Sequence, residues 1–289
     1  MRSIGRWVPL LAGLGLIPWL AGAKCGPQAI VVDGSGGGDF LTLQEAVAAA
    51  PEGGTIRIRP GSYVEQVFVE KELEIHGSGD DTQIELPPGM DDPTGLGIAP
   101  VEIRGATGVS LSNMAFGGSD FEGLIVRNSS QVELVDITAS SNAEEGVQIR
   151  GSDQVTLSGC DLSGNLHEGL DVRSSSNVSV TGCSFTGNGG HGVRVREGSD
   201  AVTLDGNRSA GNGNNGVRVE DSSGVGVQNS DIDANADDGV FVRDSSGVNV
   251  TLDIITNNGG FGLRIRNSAD LVQFGNSFSG NVRGDIRQD

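Results

Sequence analysis

Residues 147–169, VQIRGSDQVTLSGCDLSGNLHEG, run directly into residues 170–192, LDVRSSSNVSVTGCSFTGNGGHG, and the two match position for position. Each opens with apolar–x–apolar–Arg, passes a polar turn to a Val-x-apolar run, and ends on Gly-Asn and a closing Gly. The opening tetrad recurs on both sides: Val101-Glu102-Ile103-Arg104, Leu124-Ile125-Val126-Arg127, then starts at Val193, Val217, Val240 and Leu263, with a ninth at Ile286. Every step is 23 residues except Val193 to Val217, which is 24. A fixed period of this length marks a solenoid. Within a unit, Val147 and Ile149, then Val155 and Leu157, alternate with polar neighbours, and Leu162 opens a third short run. Period-2 runs separated by Gly, Ser, Asn and Asp mean three short strands, and no helical period interrupts them. The expected fold is therefore all-β: a single-stranded parallel β-helix of about ten or eleven rungs, stacked about 4.8 Å apart.

Stacking turns every repeat position into a column along the solenoid axis. Asn142, Asn165, Asn188, Asn212, Asn235, Asn258 and Asn281 form one column. Their amides can hydrogen-bond up the ladder and satisfy turn backbone. Gly123, Gly146, Gly169, Gly192, Gly216, Gly239 and Gly262 form another, just before the first strand, where a tight turn is expected to need positive φ. Cys160 and Cys183 share a third column on adjacent rungs, within bridging range in principle; two buried thiols are the expected state. No His at metal spacing joins them, so no zinc site is expected there.

Residues 1–23 read as a signal peptide: Arg2 and Arg6, a short apolar run Trp7–Leu20, then Ala21-Gly22-Ala23 as a cleavage signal. Export to the periplasm or the extracellular space follows as an expectation; a lipoprotein anchored through Cys25 is the alternative, with Lys24 poorly suited to the position before it. The apolar run is too short for a membrane span. The formal net charge of −19 opposes nucleic acid and anionic membrane surfaces as partners.

Residues 24–100 differ from the regular repeats of 101–289 while belonging to the same continuous domain. Gln28–Asp33 reads as a strand, Gly34–Gly38 as a loop, and Thr42-Leu43-Gln44-Glu45 as a capping box opening a helix through Ala50. Strands at Thr55–Arg59, Val67–Val69 and Leu73–His76 follow. An amphipathic helix laid over the first rung would cover its apolar cross-section. Residues 31–79, VVDGSGGGDFLTLQEAVAAAPEGGTIRIRPGSYVEQVFVEKELEIHGSG, closely resemble the start of pectin methylesterases and other pectin-lyase-like proteins. The repeats, with their G-[VIL]-x-[VIL]-x-x-S-x-x-V pattern, resemble the secreted right-handed parallel β-helix proteins. That class holds polysaccharide lyases, hydrolases, uronate epimerases and a periplasmic copper-site maturation factor. The resemblance implies a right-handed coil and an anionic polysaccharide as partner.

The active sites of these families do not carry over. Asp120-Phe121-Glu122-Gly123 lacks the apolar continuation of the pectin methylesterase Asp motif, and no matching Gln pair follows. Gly190-His191-Gly192 and Asp237-Asp238 occur in the reverse of the polygalacturonase order. Asp92-Pro93-Thr94 is the nearest run to the D-P-H-D of alginate epimerases, and the repeats hold no Lys to serve as a lyase base.

Two outward columns carry chemistry. The fourth position of the first strand reads Arg104, Arg127, Arg150, Arg173, Arg196, Glu220, Arg243 and Arg266, and the second position adds Arg194, Arg218 and Arg264. Residues at these positions are expected to point to solvent. Guanidinium groups spaced along a ridge suit bidentate contact with successive carboxylates of a uronate chain, and Arg127, Arg150, Arg173, Arg194, Arg196, Arg243 and Arg266 are the candidate binding residues. A ladder of ion pairs with Glu122, Glu145, Glu168, Asp221 and Asp244 is the competing reading. The second column stacks Glu145 and Glu168 about 5 Å apart, the spacing of a retaining glycosidase pair, with His191 on the next rung. Stacked carboxylates should raise one another's pKa, as a general acid requires. Glu168, His191, Asp171, Glu145 and His167 are the candidate catalytic residues.

Two functional classes stand open. One is an enzyme, a lyase, hydrolase, esterase or uronate epimerase, binding an anionic polysaccharide along the Arg-lined face. The other is a non-catalytic surface or periplasmic scaffold or adhesion protein. Copper handling is the weaker alternative, since the three His and three Met are dispersed. No cofactor is required by any motif; Ca2+ stays open through the Asp-rich run Asp231–Asp238, which has no ligand-loop spacing. With no helix to cover the last rung, oligomerisation through the C-terminal end is a further expectation.

Overall fold

A computed structural model describes residues 29–289, so the signal-peptide and Cys25 readings lie outside the described residues. The strands form three parallel sheets of one solenoid: sheets of thirteen and ten strands run its length, and a five-stranded sheet, Ser184–Thr186 to Ser277–Ser279, covers the later rungs. The ten-stranded sheet is built from the repeat openings, Val101–Arg104 through Val240–Arg243, and is extended by Val67–Val69, Phe261–Arg266 and Gly284–Gln288. Its register is one repeat per rung: Val147 pairs with Leu170, Arg150 with Arg173, and Leu263 with Ile286. In the early rungs the second and third strands fuse into single 11-residue strands, Thr107–Gly117 and Ser130–Ser140. The 24-residue step is absorbed in the turn at Glu197–Gly198, because Leu170 still faces Val193 while Ser176 faces Asp200.

Alternate residues of each strand fill the interior. Val147, Ile149, Val155, Leu157 and Leu162 are buried with most of their counterparts in one continuous core, which opens at the last rung, where Leu271 and Phe278 are only partly buried. Burying each such side chain contributes about 1.5–3 kcal/mol. Polar ladders line the corners between sheets. From Asn165 on, each Asn of the column accepts at Oδ1 from the backbone N–H and the Nδ2 of the Asn one rung earlier; Asn165 accepts both from Asn142, at 3.1 and 3.0 Å. A serine ladder invisible as a motif does similar work at another corner: Ser129 N donates to Ser152 Oγ at 3.2 Å and Ser152 N to Ser175 Oγ at 3.1 Å.

The glycine column corrects one expectation. Gly123, Gly146, Gly169, Gly192, Gly216, Gly239 and Gly262 do not have positive φ. They are required by crowding: a Cβ on Gly169 would stand 2.7 Å from Leu162 O, 2.8 Å from Asn188 Nδ2 and 2.8 Å from Gly192 O. Positive φ falls instead just after the fourth strand position, at Asn128, Gly151, Ser174, Glu197, Asp221, Asp244 and Asn267. Cys160 and Cys183 are free, buried thiols, with Cys160 N donating to Cys183 Sγ at 3.4 Å.

In residues 29–100, the helix Leu43–Ala49 buries Leu43, Ala46 and Val47 against strands Ile30–Val32, Gly54–Ile58 and Val67–Val69. Thr42 is its N-cap, accepting from Glu45 N at 3.3 Å. The next free amides are taken by Glu65, whose carboxylate accepts from Leu43 N at 2.7 Å and Gln44 N at 2.9 Å. No helix of the described residues is long and apolar enough to cross a membrane.

Candidate functional site

The outer face of the ten-stranded sheet holds three columns of polar residues. Two residues before the strand stand Glu122, Glu145, Glu168, His191, Asn215 and Asp238; all are buried. The second strand position holds Glu102, Ile125, Gln148, Asp171, Arg194, Arg218, Phe241 and Arg264, and the fourth holds the arginines and Glu220. The expectation that second-position residues face open solvent is corrected here. Glu102, Ile125, Gln148 and Asp171 are buried, with the long side chain of Arg127 folded onto Glu102 and those of Arg173 and Arg196 onto Asp171.

The arginines are engaged in ion pairs. Both oxygens of Asp171, which is 0 % exposed, accept from Arg196, at 3.0 and 3.1 Å, and one also accepts from Arg173 Nε. Arg173 reaches Glu145 at 3.1 Å, and Arg194 lies 3.6 Å from Glu168. Arg127 pairs with Glu102 at 3.2 Å and donates to the carbonyls of Leu96 and Gly97, fastening the loop between strands Thr82–Glu85 and Val101–Arg104 over the sheet. Asp92 organises that loop from within, accepting from Thr94 Oγ1 at 2.7 Å and Gly97 N at 2.8 Å. Glu220 is a second hub, binding Arg194, Arg218 at 2.8 Å and Arg243 at 2.9 Å. Burial pushes its carboxyl up, but Arg218 and Arg194 outweigh it and hold the pKa at about 2. Arg150 and Arg266 have no acidic partner among the described residues.

Between the loop and the turns lies an open cleft of about 690 Å³. Its floor carries Glu122, Glu145 and Glu168, with Gln148, Arg173, Arg194 and Arg196 from the sheet, and Glu144 and His167 at the rim. Burial raises all three floor carboxyls. Glu122 reaches about 7, with Glu145 and Glu144 adding repulsion. Glu145 and Glu168 are raised by burial and then by Asp171, opposed by Arg173 and Arg194 respectively. Desolvation, more than the mutual repulsion expected from stacking, is thus the main cause.

Of the five candidate catalytic residues, Glu145, Glu168 and His167 line the cleft, and Asp171 and His191 lie beneath its surface. His191 Nδ1 accepts from Asn215 N at 3.1 Å. Burial, with Arg218 and Arg194 nearby, lowers its pKa to about 4, so the ring is neutral at pH 7. His167, 54 % exposed, meets Glu144 at 2.7 Å. Glu144, Glu145 and His167 place three ligand atoms within 4.8 Å of one another, a set of N and O donors that could hold a divalent cation. Asp231 and Asp233 of the Asp-rich run lie on the five-stranded sheet, away from this cleft.

Sequence reasoning names Glu122 only as a member of the ion-pair ladder, and passes over Gln148 and the closing of the cleft by the 92–97 loop. The column position beside Glu145 is the signal for Glu122; Gln148, between Ile125 and Asp171 in its own column, carries none. Gln148 Nε2 donates to Glu122 Oε1 at 2.9 Å, leaving Gln148 Oε1 and Glu122 Oε2 buried without a partner.

Residues 100–284 match the model of the right handed beta helix region. The chain belongs to the right-handed β-helix family. Among solved structures of similar fold, the A-module of the mannuronan C-5 epimerase AlgE4 of Azotobacter vinelandii superposes with a TM-score of 0.65 at 16 % identity, covering 84 % of this chain and 91 % of that one. The pectate lyase Pel9A gives 0.68 at 15 %, covering 85 % and 76 %. The periplasmic alginate epimerase AlgG gives 0.56 at 14 %, covering 90 % and 85 %. At such identities the likeness is one of β-helix fold. No curated protein matches the sequence.

Proposed function

We propose that this β-helix protein binds an anionic, uronate-type polysaccharide along the ten-stranded sheet and acts on it in the cleft by carboxyl acid–base chemistry. The observation that carries the reading is the stack of Glu122, Glu145 and Glu168 on the cleft floor, flanked by Arg173, Arg194 and Arg196. Adjacent rungs stack about 5 Å apart, a spacing that suits one carboxyl, held protonated, to donate while its neighbour accepts. Proton abstraction beside a uronate carboxylate begins both epimerisation and β-elimination; protonation of the glycosidic oxygen begins hydrolysis. The fold is shared with epimerases and a lyase of polysaccharides, one of them periplasmic, which agrees with an exported protein.

Proton NMR of the chain with pectin, polygalacturonate and alginate, with and without Ca2+, tests the reading. New unsaturated, reducing-end, epimer or methanol signals are expected, and Glu145→Gln and Glu168→Gln should each slow their appearance by about 100-fold or more. Unchanged substrate would overturn the catalytic part. The second reading, a scaffold that binds without turnover, draws on the ion pairs that occupy most of the arginines.

A further inference from the structure

Arg150 stands apart in the arginine column. Arg104 pairs with Glu70, Arg127 with Glu102, Arg173 with Asp171 and Glu145, Arg196 with Asp171, and Arg243 with Glu220. The acid comes from the second strand position of the same rung or the rung before for Arg127, Arg173 and Arg196, and from the fourth position of the rung before for Arg104 and Arg243. For Arg150 those positions hold Gln148, Ile125 and Arg127, and Glu122, the counterpart of the Glu145 that Arg173 also reaches, is bonded by Gln148 and forms no ion pair with Arg150. Arg57, Arg266 and Arg283 also lack acidic partners among the described residues, but they are exposed, whereas Arg150 is half-buried. A guanidinium that has lost part of its water, with Arg127 and Arg173 one rung away on either side, favours an anion strongly.

The same rung offers a complementary vacancy. Gln148 projects from the same face two residues earlier, is 3 % exposed and lines the cleft. Its Nε2 is spent on Glu122, and its Oε1 has no donor. One rung therefore holds a charged donor without an acceptor and a buried acceptor without a donor, on side chains whose Cα atoms are about 6–7 Å apart along the strand. A hexuronate ring carries both missing partners at that scale, a carboxylate at one end and hydroxyls at the other.

We propose that the rung Val147–Arg150 is the subsite that registers the polysaccharide, with Arg150 binding a uronate carboxylate and Gln148 Oε1 accepting a hydroxyl of the same ring. This rests on the polysaccharide reading above and narrows it to one rung. A ring held there lies along the strand with its hydroxyl side toward Glu145, two residues before the strand begins. The arginines that line the cleft, Arg173, Arg194 and Arg196, are already neutralised by acidic partners.

Calorimetric titration with oligogalacturonate and oligomannuronate, and with the same oligomers after reduction of their carboxyls to alcohols, tests this. The wild-type chain should bind an acidic oligomer at least about tenfold more tightly than its reduced form. Arg150→Gln should lose about 10- to 100-fold toward the acidic oligomer and leave the reduced one unchanged. Gln148→Met should weaken both, and Arg57→Gln neither; circular dichroism and melting would establish that the variants fold. Acidic preference that survives intact in Arg150→Gln would overturn the subsite and leave the polysaccharide reading standing. Wild-type chain that binds none of the oligomers would overturn that reading and the subsite together.

Discussion

Replacing Asp253 with asparagine should stabilise the protein, and by more at pH 8 than at pH 5. Asp253 sits in a corner column with Asn207, Ser230 and Asn276 and is 1 % exposed. Its Oδ1 accepts from Ser230 N at 2.8 Å, as Asn276 Oδ1 accepts from Asp253 N at 2.9 Å. The asparagines also donate: Asn207 Nδ2 to Val180 O at 3.0 Å, and Asn276 Nδ2 to Val250 O at 2.7 Å. Asp253 has an oxygen, Oδ2, at the corresponding position, and it has no partner. Burial pushes its pKa from 3.8 to about 7. Because the folded value lies above the unfolded one, the protonated form is fully stabilising below about pH 4, stability is lost as pH rises toward 7, and the loss is complete above it. A rise of that size corresponds to about 4 kcal/mol, and partial relaxation of the site reduces this to roughly 2–4 kcal/mol. Asparagine removes the ionisation and supplies the donor that its column neighbours use. Thermal melts of both proteins across pH 4–9 should show the variant ahead by roughly 4–12 °C at pH 8, with the gap narrowing steadily toward pH 4. A gap independent of pH, or a variant less stable at pH 8, would refute the assignment of a buried, uncompensated carboxylate.

Three other substitutions probe the fold and the network. Gly169→Ala should destabilise by about 1–3 kcal/mol in a urea titration, because its Cβ meets Leu162 O and Asn188 Nδ2. Gly164→Ala, at φ +70° with nothing within 4 Å, should be milder, and the reverse order would restore backbone conformation as the reason for the column. Glu220→Gln should cost about 3–5 kcal/mol by leaving Arg194, Arg218 and Arg243 around a neutral group. Since the folded Glu220 pKa is depressed from 4.5 to about 2, its contribution is present above about pH 4.5 and fades as pH falls toward 2, so the two proteins should converge in acid melts.

The solenoid was legible from the sequence because stacking converts a repeat into columns, and columns are visible as period. Asn142 to Asn281 could be read as an inward ladder, since an amide repeated every rung has one economical use. The role of Gly169 could not, because the atoms that crowd it, Asn188 Nδ2 and Gly192 O, belong to the next rung and their approach depends on corner geometry. The cleft was half legible. Glu145 and Glu168 were evident as a column, but whether Asp171 and His191 reach solvent depends on how Arg173, Arg196 and Arg194 drape over them, and a letter pattern does not encode rotamers. The 92–97 loop that closes one side of the cleft lies in the irregular stretch, where no repeat marks its partners.

The asparagine ladder also has a direction. From Asn142 to Asn281 every Nδ2 donates to the Oδ1 of the following rung, through six successive bonds of 2.8–3.1 Å. Reversing one amide would set oxygen against oxygen on one side and nitrogen against nitrogen on the other, breaking two amide–amide bonds and the bonds to backbone besides. The amides must therefore order together, and mutual polarisation strengthens the aligned state. Neighbouring backbone bonds alternate in direction, as Gly123 N to Glu145 O and Ser130 N to Ala106 O do, and largely cancel. The side chains do not cancel. This corner of the solenoid is in effect a polar filament seven amides long, with its positive pole toward the C-terminal end.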